Sequence, residues 1–286
     1  MSLDRPSVAV LGAGGQLGQA IAARFGESAT VHALPRGMLD ITDAVAVAEA
    51  FGRIQPRMVV NCAAFNDVDG AQEQQAHAMV INGLAVGILA RAAEAVGATF
   101  VHYGTDFVFA GHENRVWTED DQPEPQSVYA QSKLVGEWLA RDCSRHYVLR
   151  VESLFGGPHR RSTVDRIVTA LTEGRATNLF HDRTVTPSFV DDVAEATWRL
   201  VALGAPSGVY HCANEGATTW VGLGQEIARV LGLDPSLIAP VSMAEVALKA
   251  PRPRFAALSS QKLARAGAPM PSWENALARY LSRLPV

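Results

Sequence analysis

The sequence predicts an α/β protein: a Rossmann-type doubly wound parallel sheet with a smaller C-terminal α/β substrate lobe. Three observations lead there. Short apolar runs recur at 7–11, 30–34, 58–61, 99–103 and 147–151, continuous rather than alternating, as expected of strands covered on both faces. Ala-rich segments at 16–25, 43–53, 71–96 and 128–141 separate them, each long enough for a right-handed crossover between parallel strands. A glycine cluster fills the first strand-to-helix junction.

That junction reads Gly12-Ala13-Gly14-Gly15-Gln16-Leu17-Gly18, and Gly12, Gly15 and Gly18 fit a G-x-x-G-x-x-G spacing. Glycine lets the turn tighten and the backbone approach a pyrophosphate, while the next helix offers its first-turn amides and its dipole. The second strand ends in Leu34-Pro35-Arg36, with no acid before Asp40. A carboxylate there would bind a ribose 2′-hydroxyl and repel a 2′-phosphate, whereas Arg36 can pair with the phosphate, so NADPH is the expected cofactor, with NADH as the alternative.

After about Leu154 the rhythm changes. Gly156-Gly157-Pro158 breaks the chain, helical segments at 163–172 and 191–203 alternate with an extended piece at 208–213, Pro and Arg cluster at 249–254, and an amphipathic helix is expected at 273–281. The expected division is a dinucleotide-binding domain at 1–153, with a return near 187–213, and a substrate lobe at 154–186 and 214–286.

With 25 Lys+Arg against 29 Asp+Glu in 286 residues, the formal charge of −4 shows no polyanion footprint, so nucleic acid is not an expected partner. Cys62, Cys143 and Cys212 lie far apart without C-x-x-C spacing, which argues against a zinc knuckle or a disulfide framework. The N-terminus carries only a short apolar run after Met1-Ser2-Leu3-Asp4-Arg5-Pro6, and no stretch reads as approaching the ~20 apolar residues of a membrane span. The expectations are a cytoplasmic chain, no membrane, no bound metal, and a homodimer as the assembly to test.

Tyr129 and Lys133 stand four apart at an expected helix start, so both side chains face one way. A free phenol, with a pKa near ~10, is too weak an acid to protonate an alkoxide efficiently at neutral pH, and a nearby ammonium would strengthen it. Thr105, at the carboxyl edge of the fourth strand, offers a hydroxyl to a substrate carbonyl.

Taken with Asp40-Ile41, Asn61-Cys62-Ala63-Ala64, Ile81-Asn82 and Thr105-Asp106-Phe107-Val108-Phe109, these motifs resemble the extended short-chain dehydrogenase/reductases, and within them the dTDP-4-dehydrorhamnose reductase family. The likeness runs nearly end to end, through Val68-Asp69-Gly70-Ala71, Ser132 to Glu137, and the late Arg252-Pro253. It implies that Gly12, Gly15, Gln16, Leu17 and Gly18 hold the pyrophosphate, and that Arg36, Asp40 and Ile41 surround the adenosine end. Cys62, Ala63 and Ala64 would line the path to the nicotinamide ribose, while Asn82 would support a proton relay or brace the sheet. Lys133 would bind that ribose and lower the Tyr129 pKa, Thr105 would orient the carbonyl, and hydride would pass to the keto carbon of a sugar nucleotide.

Departures from the family pattern fall on the substrate side. Gly104 stands in place of Ser. An Arg-x-Ser-Trp motif becomes Arg150-Val151-Glu152-Ser153-Leu154 without its Trp, and an Asp-Gln-x-Gly segment becomes Asp182-Arg183-Thr184-Val185. Asp106, Phe107, Glu152, Arg183 and Arg252 are the expected substrate contacts, with Arg254 a further candidate for a diphosphate. Trp198 and Trp220 are expected to pack. An epimerase of the same superfamily, or a cofactor-binding regulatory subunit like that of methionine adenosyltransferase, remains as an alternative. Phe107 after Asp106, where a dehydratase needs Glu, weakens a dehydratase reading.

Overall fold

The computed structural model describes residues 5–284, so Met1 to Asp4 and Pro285-Val286 lie outside the described residues. The chain runs β1 (Ser7–Leu11), α1 (Gln16–Gly26), β2 (Thr30–Leu34), α2 (Ala44–Ile54), β3 (Met58–Asn61), α3 (Val68–Glu73), α4 (Gln75–Met79), α5 (Ala85–Ala95), β4 (Thr99–Thr105), α6 (Val128–Leu139) and β5 (His146–Val151). After β6 (Leu154–Phe155) come α7 (Thr163–Thr172), β7 (Thr177–Phe180), β8 (Thr184–Val185), β9 (Ser188–Phe189), α8 (Val190–Ala202) and β10 (Gly208–His211). The remainder is β11 (Thr218–Thr219), α9 (Trp220–Leu231), β12 (Ile238–Val241), α10 (Gln261–Arg265) and α11 (Trp273–Leu281).

Six strands form one parallel sheet in the order β2-β1-β3-β4-β5-β10. This is the doubly wound fold that the sequence predicts. The order reverses beside β1, and a crevice opens there at the carboxyl edge, between the residues that follow β1 and β3. Alternation along β1 sends Val8 and Val10 into one apolar cluster and Ala9 and Leu11 into another. The second cluster, with Phe51, Leu89 and Phe100, lies under α2 and α5.

The first cluster is continuous from Ile21 and Phe25 of α1 through Val193 and Leu200 of α8 to Phe155, Phe189 and Tyr280. The C-terminal elements thus share a core with one face of the sheet. Phe25 meets Trp198 edge to face at 5.0 Å, a pairing worth about 0.5–1.5 kcal/mol beyond its buried area. An Arg24–Glu195 ion pair closes the same contact.

The fourth strand runs past its apolar stretch at 99–103 to Thr105, the carboxyl-edge position expected for that hydroxyl, because Gly104 and Thr105 still pair with Arg150 and Val151 of β5. Two expectations need correction. The single helix expected over 71–96 is broken after Glu73, and a π turn at Val80–Leu84 separates α4 from α5. Asn82 sits in that turn. Its Oδ1 accepts the Phe65 amide at 2.8 Å, and its Nδ2 donates to the Phe65 carbonyl and to Ser132 Oγ, both at 3.0 Å. Finally, the helical stretch Gln75–Ala95 is long and apolar enough to cross a membrane by composition, but 50% of its most apolar window is buried within the fold. Much of that apolarity serves the core.

Candidate active site

Two connected cavities of about 480 and about 530 Å³ run along the carboxyl edge of the sheet and share Gly15, Cys62, Ala63, Ala64 and Asn66. The Gly12 amide donates to the Leu34 carbonyl and the Cys62 amide to the Leu11 carbonyl, both at 3.0 Å, so the loops after β1 and β3 leave the sheet side by side. Gly12 has φ +68°, and a Cβ there would lie 2.6 Å from the Ala63 amide nitrogen. A Cβ on Gly18 would overlap the Gly12 carbonyl. Both glycines are therefore steric requirements, and together they leave the start of α1 open to the groove. Gln16 Nε2 donates to the Gly156 carbonyl at 2.8 Å, bracing the loop from the other side.

The smaller cavity is lined by Arg36, Leu39, Asp40, Ile41 and Thr42, together with Phe65 and His77. Asp40 is occupied locally: its Oδ1 accepts the Thr42 amide at 2.9 Å and the Thr42 hydroxyl at 2.7 Å, and these bonds lower its pKa. The exposed Arg36 supplies a cation to that end. Glycine cradle, apolar slot and cation fit a dinucleotide with an extra phosphate on its adenosine ribose.

The larger cavity holds the chemistry. Ser127 caps α6 by accepting the Ala130 amide at 3.2 Å, and Tyr129 and Lys133 follow on the face turned to β4. Tyr129 packs edge to face on Phe107 at 5.5 Å. Thr105 Oγ1 donates to Asp106 Oδ1 at 3.1 Å and accepts the Phe107 amide at 3.2 Å. Lys133 Nζ donates to the Tyr103 carbonyl at 2.5 Å.

Burial lowers the Lys133 pKa to about 8 against the opposing pull of Glu137. The Tyr129 phenol is pushed up, first by burial and then by the Asp106 charge, with Thr105 pulling it down. The expectation that Lys133 itself lowers this phenol is not met in this arrangement, because the ammonium is turned to the Tyr103 carbonyl.

Gly104 has a physical reason: a Cβ there would overlap Glu137 Oε1 and lie 3.0 Å from Arg150 Cγ. Arg150 Nη2 meets Glu137 Oε2 at 2.8 Å, and both residues are buried. The missing side chain makes room for a charge pair one helical turn beyond Lys133.

Asp106 and Arg183 line the larger cavity, and Glu152 stands behind them. Burial raises Asp106 to about 7, opposed mainly by the Arg183 charge. Burial also raises Glu152, and the Asp106 charge adds to it. Glu152 Oε2 accepts the Thr186 amide at 2.6 Å and the Thr186 hydroxyl. Arg183 lies 5.4 Å from the Phe107 ring centroid.

Most of the expected site residues line this groove, but three do not. Asn82 is buried away from both cavities and holds the loop that carries Phe65, and Glu152 reaches the cavity only through its neighbours. Arg254 pairs with Asp182 at 3.4 Å outside the cavity. Arg252 does line it, gripped by Asp69 of α3 at 3.0 and 2.8 Å. Sequence reasoning missed Asn66, Ser153, Thr163, Arg166 and Trp220, all on the cavity wall. Trp220 opens α9 behind a Thr219 cap, a position that reads as packing in sequence; no motif marks it as a wall of this groove.

A profile described as RmlD substrate binding domain matches residues 6–286. A dTDP-4-dehydrorhamnose reductase of Streptomyces griseus is 36% identical, covering 98% of this chain and 94% of its own. One from Mycobacterium tuberculosis is 37% identical, covering 96% and 91%. Among solved structures, the dTDP-4-dehydrorhamnose reductase of Bacillus anthracis in complex with NADP is similar with a TM-score of 0.93 at 27% identity, covering 98% of this chain and 100% of that one.

Proposed function

The chain belongs to the RmlD substrate binding domain family, and from that premise we propose that it reduces a 4-keto sugar nucleotide, dTDP-4-dehydrorhamnose, with NADPH. It is an extended short-chain dehydrogenase/reductase and an NAD(P)-dependent oxidoreductase. The observation that carries the reading is the convergence of Thr105, Tyr129 and Lys133 in one cavity whose other end is the glycine loop.

NADPH, when bound, supplies a hydride to the carbonyl carbon. Gly12, Gly15 and Gly18 leave backbone exposed for its pyrophosphate, and Arg36 pairs with the phosphate on its adenosine ribose. The Thr105 hydroxyl would turn its one proton from Asp106 Oδ1 to the carbonyl oxygen and so orient it. Tyr129 delivers its proton to that oxygen as negative charge develops there. Lys133, anchored on the Tyr103 carbonyl, has two further ammonium protons and would use them to hold the nicotinamide ribose. Arg252, steadied by Asp69, faces the diphosphate of the substrate. The division into a dinucleotide domain and a lobe at 154–186 and 214–286 belongs to the same proposal, with the sugar between them.

The test follows NADPH absorbance over a panel of 4-keto sugar nucleotides with the native chain and Tyr129→Phe. Loss of the phenolic proton should lower kcat by about 100- to 10,000-fold. Turnover that survives the substitution would exclude Tyr129 as the acid. Failure of the native chain with every sugar would move the assignment to a binding subunit.

A further inference from the structure

We infer that Gln72 of α3 is a positioning residue for the acid: it holds the first amide of α6 and so fixes where the Tyr129 hydroxyl stands in the larger cavity. The inference rests on the reductase reading above and adds to it a residue that lines neither cavity.

A helix start leaves its first amides without partners inside the helix. In α6 those amides belong to Val128, Tyr129 and Ala130, and the Ser127 cap takes the Ala130 amide. The Val128 amide donates instead to Gln72 Oε1 at 2.8 Å, a partner 56 residues earlier in the chain. Val128 immediately precedes Tyr129, so this bond fixes the backbone from which the acid projects. On the other side of the acid, the Tyr129 carbonyl accepts the Ser132 hydroxyl at 2.7 Å, and Ser132 Oγ accepts from Asn82. Residues 109–127, which lead into α6, contain no helix or strand, so no regular element sets the angle at which the helix begins.

A tether needs a fixed anchor. With six residues, α3 is too short to be stable alone. It is clamped from the C-terminal side of the chain: Asp69 accepts the Ala250 amide at 3.0 Å and the Arg252 guanidinium at 3.0 and 2.8 Å, and Glu73 pairs with Lys249 at 2.5 Å. Asp69 and Gln72 stand three apart, and residues so spaced are neighbours on a helix surface. Between them, Ala71 is fully buried in the same apolar cluster as Tyr129, with Val68 and Phe107 packed against it. One short helix therefore takes its place from the 249–252 segment and passes it to the acid. A misplacement of about 1 Å can cost about 100-fold in rate, whereas one partly buried hydrogen bond adds only modestly to stability, so the tether should matter more to turnover than to folding.

The test follows NADPH oxidation by a 4-keto sugar nucleotide in light and heavy water, with the native chain, Gln72→Leu and Gln72→Glu. Leu removes the acceptor, and Glu keeps one at the same reach. Gln72→Leu should lower kcat by about tenfold or more while leaving NADPH affinity and KM for the sugar within about twofold. Its solvent isotope effect on kcat should rise, because proton delivery from a displaced phenol becomes the slower step. Gln72→Glu should restore kcat to within about threefold of native, together with the native isotope effect. Gln72→Asn, polar but one methylene short, carries the same expectation as Leu should the Leu variant not fold. A loss of kcat with an unchanged isotope effect, as a smaller folded fraction would give, overturns the inference, and so does equal impairment of the Leu and Glu variants. Either result leaves the reductase reading standing, since the native chain still turns over. A native chain that reduces no 4-keto sugar removes that reading and the inference with it.

Discussion

Where the groove passes the glycine loop its wall is backbone, Gly12, Gly15 and Gly18 beside the turn at Cys62 to Ala64, and beyond that loop lie the side chains of Arg36, Leu39, Asp40 and Ile41. At the Thr105–Tyr129 end the walls are side chains: Asp106, Arg183, Arg252 and Trp220, brought together from four separate stretches of sequence. A backbone site depends on residues being small, and it tolerates little else because the space is already taken. A side-chain site depends on charge and reach, and can be retuned by exchanging one residue.

Three measurements would break or sharpen this contrast. The largest effect is expected at Gly12→Ala. The added Cβ meets the Ala63 backbone at a positive φ, a conformation that costs an L-residue roughly 1–2 kcal/mol before any clash. NADPH titration followed by fluorescence should show affinity down by at least about tenfold, with a lower Tm. Unchanged affinity would mean that the groove wall yields and the backbone account is wrong.

The second effect is pH dependence, expected from the Thr105–Tyr129 end. Lys133 is a cation below about pH 8 and neutral above it, so kcat should fall as pH rises through about 8. Asp106 is raised to about 7, so the folded chain holds this proton more tightly than the unfolded one. Its stabilising contribution is complete below about pH 4 and is lost as pH rises through about 7. Urea unfolding at pH 5 and pH 8 should show that loss, and Asp106→Asn should reduce it. An identical slope in the variant would show that Asp106 does not carry the proton.

The smallest effect is expected at Arg36→Ala. Its side chain is exposed, so removing the charge should raise KM for NADPH by roughly tenfold while leaving KM for NADH nearly unchanged. Equal changes for both cofactors would mean that Arg36 acts through the loop rather than on the phosphate.

Legibility follows the same divide. The parallel strands, the glycine spacing and the Tyr129–Lys133 pair are local patterns, and local patterns survive in sequence because strand burial and helix pitch fix them residue by residue. Where tertiary contacts overrule local preference, the reading failed. Residues 71–96 look like one helix, yet the bonds from Asn82 to Phe65 and Ser132 accompany a π turn that no periodicity announces. The cavity role of Trp220 was missed for a related reason, since an aromatic at a helix start carries no mark of which surface it will face.

Gly104 shows where the boundary lies. In sequence it is only a departure from a motif; in the folded chain its absent side chain is the space taken by Glu137 and Arg150. Sequence alone determined the fold class and the family resemblance, and it singled out the glycine loop and the Tyr129–Lys133 pair, because each depends on neighbours within one or two elements. Tertiary structure decided which arginines line the larger cavity. Arg254 is drawn off to Asp182, Arg252 is held by Asp69, and Arg183 is buried beside Asp106 without an ion pair among the described residues. Charge in a sequence has a sign but no partner, and only the packing of distant segments assigns one.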